Sequence, residues 1–454
     1  MENTIYLKVL LLAVLTAIPF IKEKGFKLYN PAILISIIYF VEFGIAALYM
    51  AAYPKDFYYA NFEPKLISTG LNFILLVFLF FILGYYLPIY NVKFRNIMLK
   101  ILKKIPDVNN YTIQIKNLPL ILILLLFFGW LTRIILIKLG VYFHTETGEV
   151  ATKISGFKLY AQYLNLGSLF PLVALALIFF EWLKTRQINF LIFSIILTLL
   201  EVVYALPSGS KERVAVPLFI VLAMYSLSGS KLPIVFLVSS IFFFLFFVFP
   251  FSTLYRLLYS GNMARDFQFA LLQYWKLIEN FDQEFFHSLL YSMFGERFNY
   301  VDVVSRVVNF TPQIWDFKLG YTYFLFFISL IPRIFWPGKP DIAGYGNQFG
   351  RDYGFNNPQD YTTSMDMSWV GEMFINFGWF GIFAAFLIGL FYQMIYSYFM
   401  RHRGLTALSI ILYTFSLYTM TRGGMLAGDF AGLFKLYFVV LILFMPFLKK
   451  VNSK

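Results

Sequence analysis

Eleven stretches of this chain, each sixteen residues or longer, carry at most two charged side chains apiece. They fall near 4–21, 31–52, 66–89, 118–139, 162–182, 188–206, 214–229, 231–250, 369–398, 405–421 and 430–448. A helix needs about 20 consecutive apolar residues to cross the hydrocarbon core of a bilayer, so runs of this kind predict membrane-crossing helices. A water-soluble fold would have to bury all of them at once. With 60% hydrophobic and 13% charged residues, the chain lacks the polar surface to cover such a globule. A membrane β-barrel would alternate apolar and polar positions rather than run continuously apolar. The absence of cysteine excludes a disulfide scaffold and a cysteine-ligated zinc domain. The expected fold class is therefore all-α, a polytopic membrane protein of about eleven transmembrane helices. Eight lie within 1–250, three within 369–454, and a large, more polar external loop at 251–368 separates them. The first apolar stretch lacks a basic n-region and a small-residue cleavage site, and is read as a retained helix.

Lysine and arginine in the short loops orient the chain. Lys22, Lys24 and Lys27 follow the first span, and Lys93, Arg95, Lys100, Lys103 and Lys104 follow the third. Lys184 and Arg186 follow the fifth, Arg401 and Arg403 the ninth, and Lys449, Lys450 and Lys454 close the sequence. Placing all of these in the cytoplasm puts the amino terminus outside and the carboxyl terminus inside. The loop at 251–368 must then cross the membrane an even number of times. Residues 319–336, LGYTYFLFFISLIPRIFW, are apolar enough to mimic one crossing. They are expected to form an amphipathic or re-entrant element at the outer face instead. The alternative is a true span paired with a second one near 284–294.

Net charge is +13, from 37 Lys+Arg against 24 Asp+Glu, and orientation does not account for all of it. Lys211, Arg213, Arg256, Arg265, Arg297, Arg306, Arg333, Lys339, Arg351 and Arg422 fall on the expected external side. Snorkelling to lipid headgroups is one reason for external cations, and fits Arg256 or Arg265. An anionic ligand is the other, because the planar guanidinium grips phosphate oxygens two at a time. Three segments, PSGSKER, WPGKP and TRGG, set a cation beside Gly or Pro at the end of an apolar run. Such turns let backbone N–H groups approach an anion closely. PSGSKER lacks the GxxxxGK[ST] spacing of a nucleotide-binding loop. Arg133 lies near the external end of the fourth span, and Glu201 in the sixth is a natural partner for it.

A transfer to a hydroxyl acceptor needs a base. Glu372 and Asp366, in TTSMDMSWVGEMFINFG, lie where the loop returns to the membrane and are the candidate catalytic carboxylates. Their structural alternative is a helix cap for Asp366 and an ion pair for Glu372. Of the three histidines, His402 belongs to a cytoplasmic loop, and His144 and His287 sit in contexts that do not mark a base. No HExxH, DxD or paired-histidine pattern marks a metal site. Without a nucleotide loop or a soluble domain, an activated donor should arrive as a lipid. External aromatics are mostly explained by the membrane interface. Trp336, fixed between Arg333 and the Pro337–Pro340 turn, and Tyr345 remain as candidates to stack on a sugar.

IPRIFWPGKP (331–340), the Gly/Asn-rich loop after it and TTSMDMSWVGEMFINFGWFG (362–381) resemble the Wzy-type oligosaccharide repeat-unit polymerases of O-antigen, enterobacterial common antigen and capsule. SGSKERV (208–214) occupies the place of that family's Gly-Gly-x-Arg segment, which makes Arg213 the matching arginine, and TRGGMLAGD (421–429) is similar to its basic segment before the last helix. The likeness in topology covers the whole chain, and the motifs cover about a tenth of it; the family's long Arg-to-Gly loop motifs are not evident. The resemblance implies a GT-C-like glycosyltransferase of the bacterial inner membrane with its active site on the periplasmic face. It implies transfer of a growing glycan from undecaprenyl diphosphate to the non-reducing end of a new lipid-linked repeat, with no cofactor and no metal. It implies diphosphate binding by Arg213, Arg333 and Arg422, helped by Lys211, Lys339 and Arg351. Implied partners are the undecaprenyl-diphosphate-linked donor and acceptor, membrane lipids and a chain-length regulator, with no nucleic acid.

Two other readings fit the same sequence. An O-antigen ligase-type transferase uses the same donor, and its base would have to be His144 or His287. A lipid-linked oligosaccharide flippase or other transporter would show repeated halves and a midplane site. The sequence shows no such repeat.

Overall fold

The computed structural model of the protein describes residues 2–60, 63–142, 157–230, 234–258, 266–280, 282–340, 342–361, 363–400 and 406–450. The chain is almost wholly helical. Helices α1 (Glu2–Lys22), α2 (Pro31–Ala52), α3 (Pro64–Tyr90) and the short α4 (Val92–Leu102) come first. They are followed by α5 (Leu118–Lys138), α6 (Leu159–Thr185), α7 (Ile188–Ser208), α8 (Lys211–Leu227) and α9 (Ile234–Arg256). Then come α10 (Phe267–Glu279), α11 (Gln283–Leu290), α12 (Tyr300–Phe310), α13 (Tyr321–Leu330) and α14 (Ile342–Asp352). The last four are α15 (Ser368–Phe377), α16 (Gly381–Met400), α17 (Ala407–Thr421) and α18 (Leu426–Phe444).

Among the described residues, nine helices are long and apolar enough to cross a membrane. The protein is an all-α membrane protein. Two of the eleven expected spans come out short. Helix α8 runs for 17 residues, starting where Ser210 accepts the Arg213 N–H as its cap. Helix α17 runs for 15, because the chain turns at Arg422–Gly424. The loop arginines Arg265, Arg401 and Arg403, with Lys454, His144 and His402, lie outside the described residues.

The chain divides into two compact units, one formed by Met1–Thr112 with Phe294–Lys454 and the other by Ile113–Met293. In the second unit, α5 and α7 are locked by Arg133. Its guanidinium donates to both Glu201 oxygens at 2.7 Å and to the Ser168 carbonyl at 3.1 Å, and it faces the rings of Trp130 and Tyr204. The expected Arg133–Glu201 partnership is present and fully buried.

In the first unit, α3 and α16 touch backbone to backbone. A Cβ on Gly84 would stand 2.0 Å from the Phe386 carbonyl, and one on Gly389 would stand 2.2 Å from that of Phe81. Small residues permit this approach, which apolar helices in lipid use in place of a hydrophobic drive.

The expected span at 369–398 is not one helix. Trp369 packs edge-on to Phe81 and Tyr39, well inside α3 and α2, while Phe374 meets Phe73 nearer the start of α3. The chain then reverses: Trp379 stays beside Phe73, Phe383 meets Phe80, and Tyr392 returns to Phe81. So α15 runs antiparallel to α3, and α16 runs parallel to it. Gly378 takes φ +57 at the reversal, and a Cβ on Gly381 would stand 2.7 Å from the Met373 carbonyl. A 33-residue apolar run is thus a ten-residue helix followed by a 20-residue one.

Helix α13 is shorter than the expected element at 319–336. Ten residues reach about 15 Å, half of what a crossing requires. It runs along α18, with Phe326 against Phe434, and the turn after it places Arg333 and Lys339 within electrostatic reach of Lys435.

Candidate functional site

Three interruptions of regular helix meet in the first unit. The first is a π-turn at Phe40–Ile45 in α2, which carries Glu42. The second is the start of α15, where Ser368 takes φ +60 and Asp366 Oδ1 accepts its N–H at 3.0 Å. A serine in the left-handed region stores roughly 1 kcal/mol or more, and such strain collects at functional sites. The third is the turn Arg422–Met425 between α17 and α18, which are paired antiparallel through the Tyr437 hydroxyl on the Leu412 carbonyl at 2.8 Å.

The glycines of that turn are the meeting point. The Trp369 N–H donates to the Gly423 carbonyl at 3.1 Å. A Cβ on Gly423 would lie 3.7 Å from both Glu42 oxygens, and one on Gly424 would lie 2.8 Å from oxygens of both Asp366 and Asp429. At Gly424 only a residue without a side chain lets two carboxylates close around its α-carbon, and Gly423 takes φ +77, a conformation that favours glycine. Arg422 donates to Asp429 at 2.8 Å, and Arg297 lies within electrostatic reach of Glu42.

Glu372 is one turn into α15 and fully buried. Its Oε1 accepts the Thr322 hydroxyl at 2.6 Å, and its Oε2 accepts the Leu426 N–H at 2.9 Å. Asn376 donates to Thr322 at 2.7 Å and so completes the set. Glu372 ties α13, α15 and the start of α18 together. Asp366 is partly buried, and the Asp429 side chain is 11% exposed and paired with Arg422. Glu372 braces the elements that carry both.

Four of the six expected diphosphate ligands belong to the first unit and two to the second. Arg422 is at the glycine turn. Arg333 and Lys339 share the 331–340 turn, where Arg333 donates to the Lys339 carbonyl at 3.1 Å. The Lys339 ammonium donates to the carbonyls of Ile331 at 2.7 Å and Ser329 at 3.5 Å, capping the end of α13. Arg351, on α14, stacks 4.2 Å over the Tyr361 ring and also donates to Asn347. Lys211 and Arg213 belong to the second unit. There Lys211 lies 3.7 Å over the Phe249 ring, Arg213 faces Tyr142, and Arg256 donates to the Gly209 carbonyl at 2.8 Å beside them.

Of the two sugar-stacking candidates, Trp336 is 40% exposed at the tip of the 331–340 turn. Tyr345 packs edge-on to Trp315 and near Tyr321. Burial, with Tyr321 adjoining, pushes the Tyr345 phenol up, so it remains a neutral hydroxyl at physiological pH. Among the described residues, no three His, Cys, Asp or Glu side chains are arranged to hold a metal ion.

Sequence reasoning missed Glu42, Asp429 and Lys435 as members of these clusters, and had Arg297 only as one of the external cations. Each is an ionisable residue in or beside an apolar run, which is itself a sign of function. Only the partners across the fold were hidden.

A family profile described as Domain of unknown function (DUF8712) matches residues 131–452. The chain belongs to this family. The DUF8712 match takes in Asp366, Glu372, Arg422 and Asp429, and Glu42 precedes it. No curated protein and no solved structure matches the chain.

Proposed function

We propose that this DUF8712 protein is a Wzy-type oligosaccharide repeat-unit polymerase. It is a glycosyltransferase moving a growing glycan from undecaprenyl diphosphate to the non-reducing end of an incoming lipid-linked repeat unit. The observation that carries this reading is the meeting of Asp366, Asp429 and Arg422 at a double-glycine turn among otherwise apolar helices. A carboxylate and a guanidinium at one turn supply a base and an anion clamp without a nucleotide loop.

In the reaction, the bond between the donor's anomeric carbon and the diphosphate oxygen breaks. A bond from that carbon to the acceptor hydroxyl oxygen forms. The hydroxyl proton goes to Asp366, and the diphosphate leaves with the electron pair, its charge met by Arg422. Asp366 takes the base role over Glu372 because both Glu372 oxygens are occupied inside the fold. Arg333, with Lys435 beside it, and the Lys211–Arg213 turn of the second unit are further cationic groups for lipid diphosphates.

The remaining features of the reading follow from this assignment. The chain has a GT-C-like architecture with α8 and α17 completing eleven membrane helices. It resides in the bacterial inner membrane, with the site on the periplasmic face, and works beside a chain-length regulator.

Deletion of the gene, followed by gel analysis of surface glycan, tests the reading. Loss of the ladder with one repeat unit retained on the lipid acceptor is the expected result, restored by the wild-type gene and not by Asp366→Asn. Loss of all attached glycan assigns a ligase instead, and repeat units trapped on the cytoplasmic face assign a flippase.

A further inference from the structure

Helix α4 follows the long apolar α3 without continuing it. Asn91 leaves helical geometry between them, at φ −108 and ψ 111, and its side chain accepts the Lys93 and Phe94 N–H groups at 3.0 and 3.3 Å. That cap starts a new helix of 11 residues, about 16 Å long and too short to cross a bilayer. Its faces are unlike. Phe94, Ile97, Met98 and Ile101 recur at the spacing of one helix face, and Lys93, Asn96 and Lys100 share another. With Arg95, Lys103 and Lys104, residues 92–106 carry five cations and no acidic side chain.

The apolar face is uncovered. Phe94 is 41% exposed, Ile97 55% and Ile101 46%, and within the helix only Leu102 is buried. Both ends are nevertheless fixed. Lys22, at the end of α1, lies 4.7 Å over the ring of Tyr90, two residues before the helix begins. Beyond Leu102, the Tyr398 hydroxyl of α16 donates to the Pro106 carbonyl at 2.5 Å and accepts the Val108 N–H at 3.2 Å. Helices α3 and α16 touch backbone to backbone, so α4 is tied at both ends to one rigid pair and is not a loose tail.

Neither water nor hydrocarbon suits such a helix. Water leaves its large apolar side chains hydrated, and the bilayer core disfavours its cations. The boundary between the two suits both faces, with apolar side chains among the acyl chains and ammonium groups at the headgroups. Five cations with no acid among them complement headgroups of negative charge.

We propose that α4 is a lipid-docking helix. It lies in the plane of the membrane surface, with Phe94, Ile97 and Ile101 in the acyl region, and its cations hold anionic phospholipid headgroups. No residue of the glycine turn takes part, so this docking stands apart from the glycosyltransferase reading. The lysines after α3 bind lipid as well as marking orientation.

The chain contains no cysteine, so one introduced cysteine takes a nitroxide label at a single site. Full-length Ile97→Cys, Ile101→Cys, Lys93→Cys and Lys100→Cys variants are labelled and placed in nanodiscs. The discs are phosphatidylcholine alone, or equal parts phosphatidylcholine and phosphatidylglycerol. Power saturation compares label collisions with oxygen, which dissolves among acyl chains, and with a nickel chelate, which stays in water. In the anionic discs the oxygen-to-nickel ratio is expected to be several-fold higher at Ile97 and Ile101 than at Lys93 and Lys100. That contrast should shrink in phosphatidylcholine alone. Adding Arg95→Gln, Lys103→Gln and Lys104→Gln to each labelled variant should shrink it in the anionic discs too. Salt needs no further substitution and should act the same way, since about 1 M shortens the screening length to about 3 Å. Nickel reaching all four positions equally in the anionic discs leaves α4 in water and overturns the docking. An equal contrast in both lipids, unmoved by salt, removes the anionic headgroup as partner and overturns it as well. Labels at Ile97 and Ile101 shielded from oxygen and nickel alike mark protein cover by a second copy of this chain, which also overturns it.

Discussion

The Thr322 hydroxyl donates to Glu372 at 2.6 Å in the interior of the first unit, so a residue of α13 is bonded to a residue of α15 that also holds the start of α18. A hydrogen bond to a charged or strongly polar buried acceptor contributes about 1.5–3 kcal/mol, and losing the donor leaves the acceptor unsatisfied. Thr322→Val keeps the shape and removes that donor together with the acceptor of the Asn376 amide. It should lower stability in detergent by about 2 kcal/mol, and Glu372→Ala, which also releases the Leu426 N–H, by more. Chemical unfolding of the purified protein measures both. A Thr322→Val midpoint equal to wild type would mean that the contact carries no weight.

The same network explains what the sequence made legible. Apolar run length is a local property, so every expected span is helical, although the one at 369–398 is two helices. The reversal at Gly378 is not local, since residues on both sides of it are equally apolar and only the φ of Gly378 and the tight approach at Gly381 mark the turn. Asp366 and Glu372 stood out because they sit together in a polar segment. Glu42 and Lys435 each appear once in a long apolar run, and their partners are hundreds of residues away or on a turn that folds back beside them. Their roles therefore become visible only when the helices are packed.

The buried Arg133–Glu201 pair in the second unit tests a different balance. Removing one partner of a buried pair typically costs about 3–5 kcal/mol, whereas replacing both with apolar residues of similar volume is often neutral. Arg133→Met should therefore destabilise strongly, and the Arg133→Met, Glu201→Met double variant should recover most of the loss. Unfolding midpoints for the four proteins of this cycle give the coupling directly. A double variant as unstable as Arg133→Met would show that the arginine acts through Ser168, Trp130 and Tyr204 rather than through Glu201.

Gly389 gives a prediction whose sign separates two effects. In an ordinary helix, Gly→Ala stabilises by about 0.5–1 kcal/mol, through the entropy of the unfolded chain. Here the added methyl would stand 2.2 Å from the Phe81 carbonyl, and 2.8 Å from the Tyr85 nitrogen, both backbone atoms that cannot step aside cheaply. Gly389→Ala is expected to destabilise by about 2 kcal/mol or more, as overpacking does. Gly428, with nothing within 4 Å of its Cβ position, is the control and should gain from the same change. Thermal melting of the two variants side by side decides it, and a stabilised Gly389→Ala would refute the close approach of α3 and α16.

Lys435 lies partway along α18, within electrostatic reach of Arg333 and Lys339. Like charges held together destabilise the fold that holds them, so a cation cluster persists in an apolar helix when something anionic repays it. Lys435→Met should therefore have opposite effects on stability and on ligand binding. Without added anion, the variant is expected to melt higher than wild type, because the repulsion is relieved. With sodium pyrophosphate as the probe for a lipid diphosphate, wild type should gain stability by about 2.7 kcal/mol at a hundredfold excess over Kd, and the variant much less. An equal chloride-balanced concentration of sodium sulfate separates a diphosphate site from general anion screening. If pyrophosphate leaves the wild-type melting temperature where it was, or raises both proteins equally, Lys435 takes no part in holding a diphosphate.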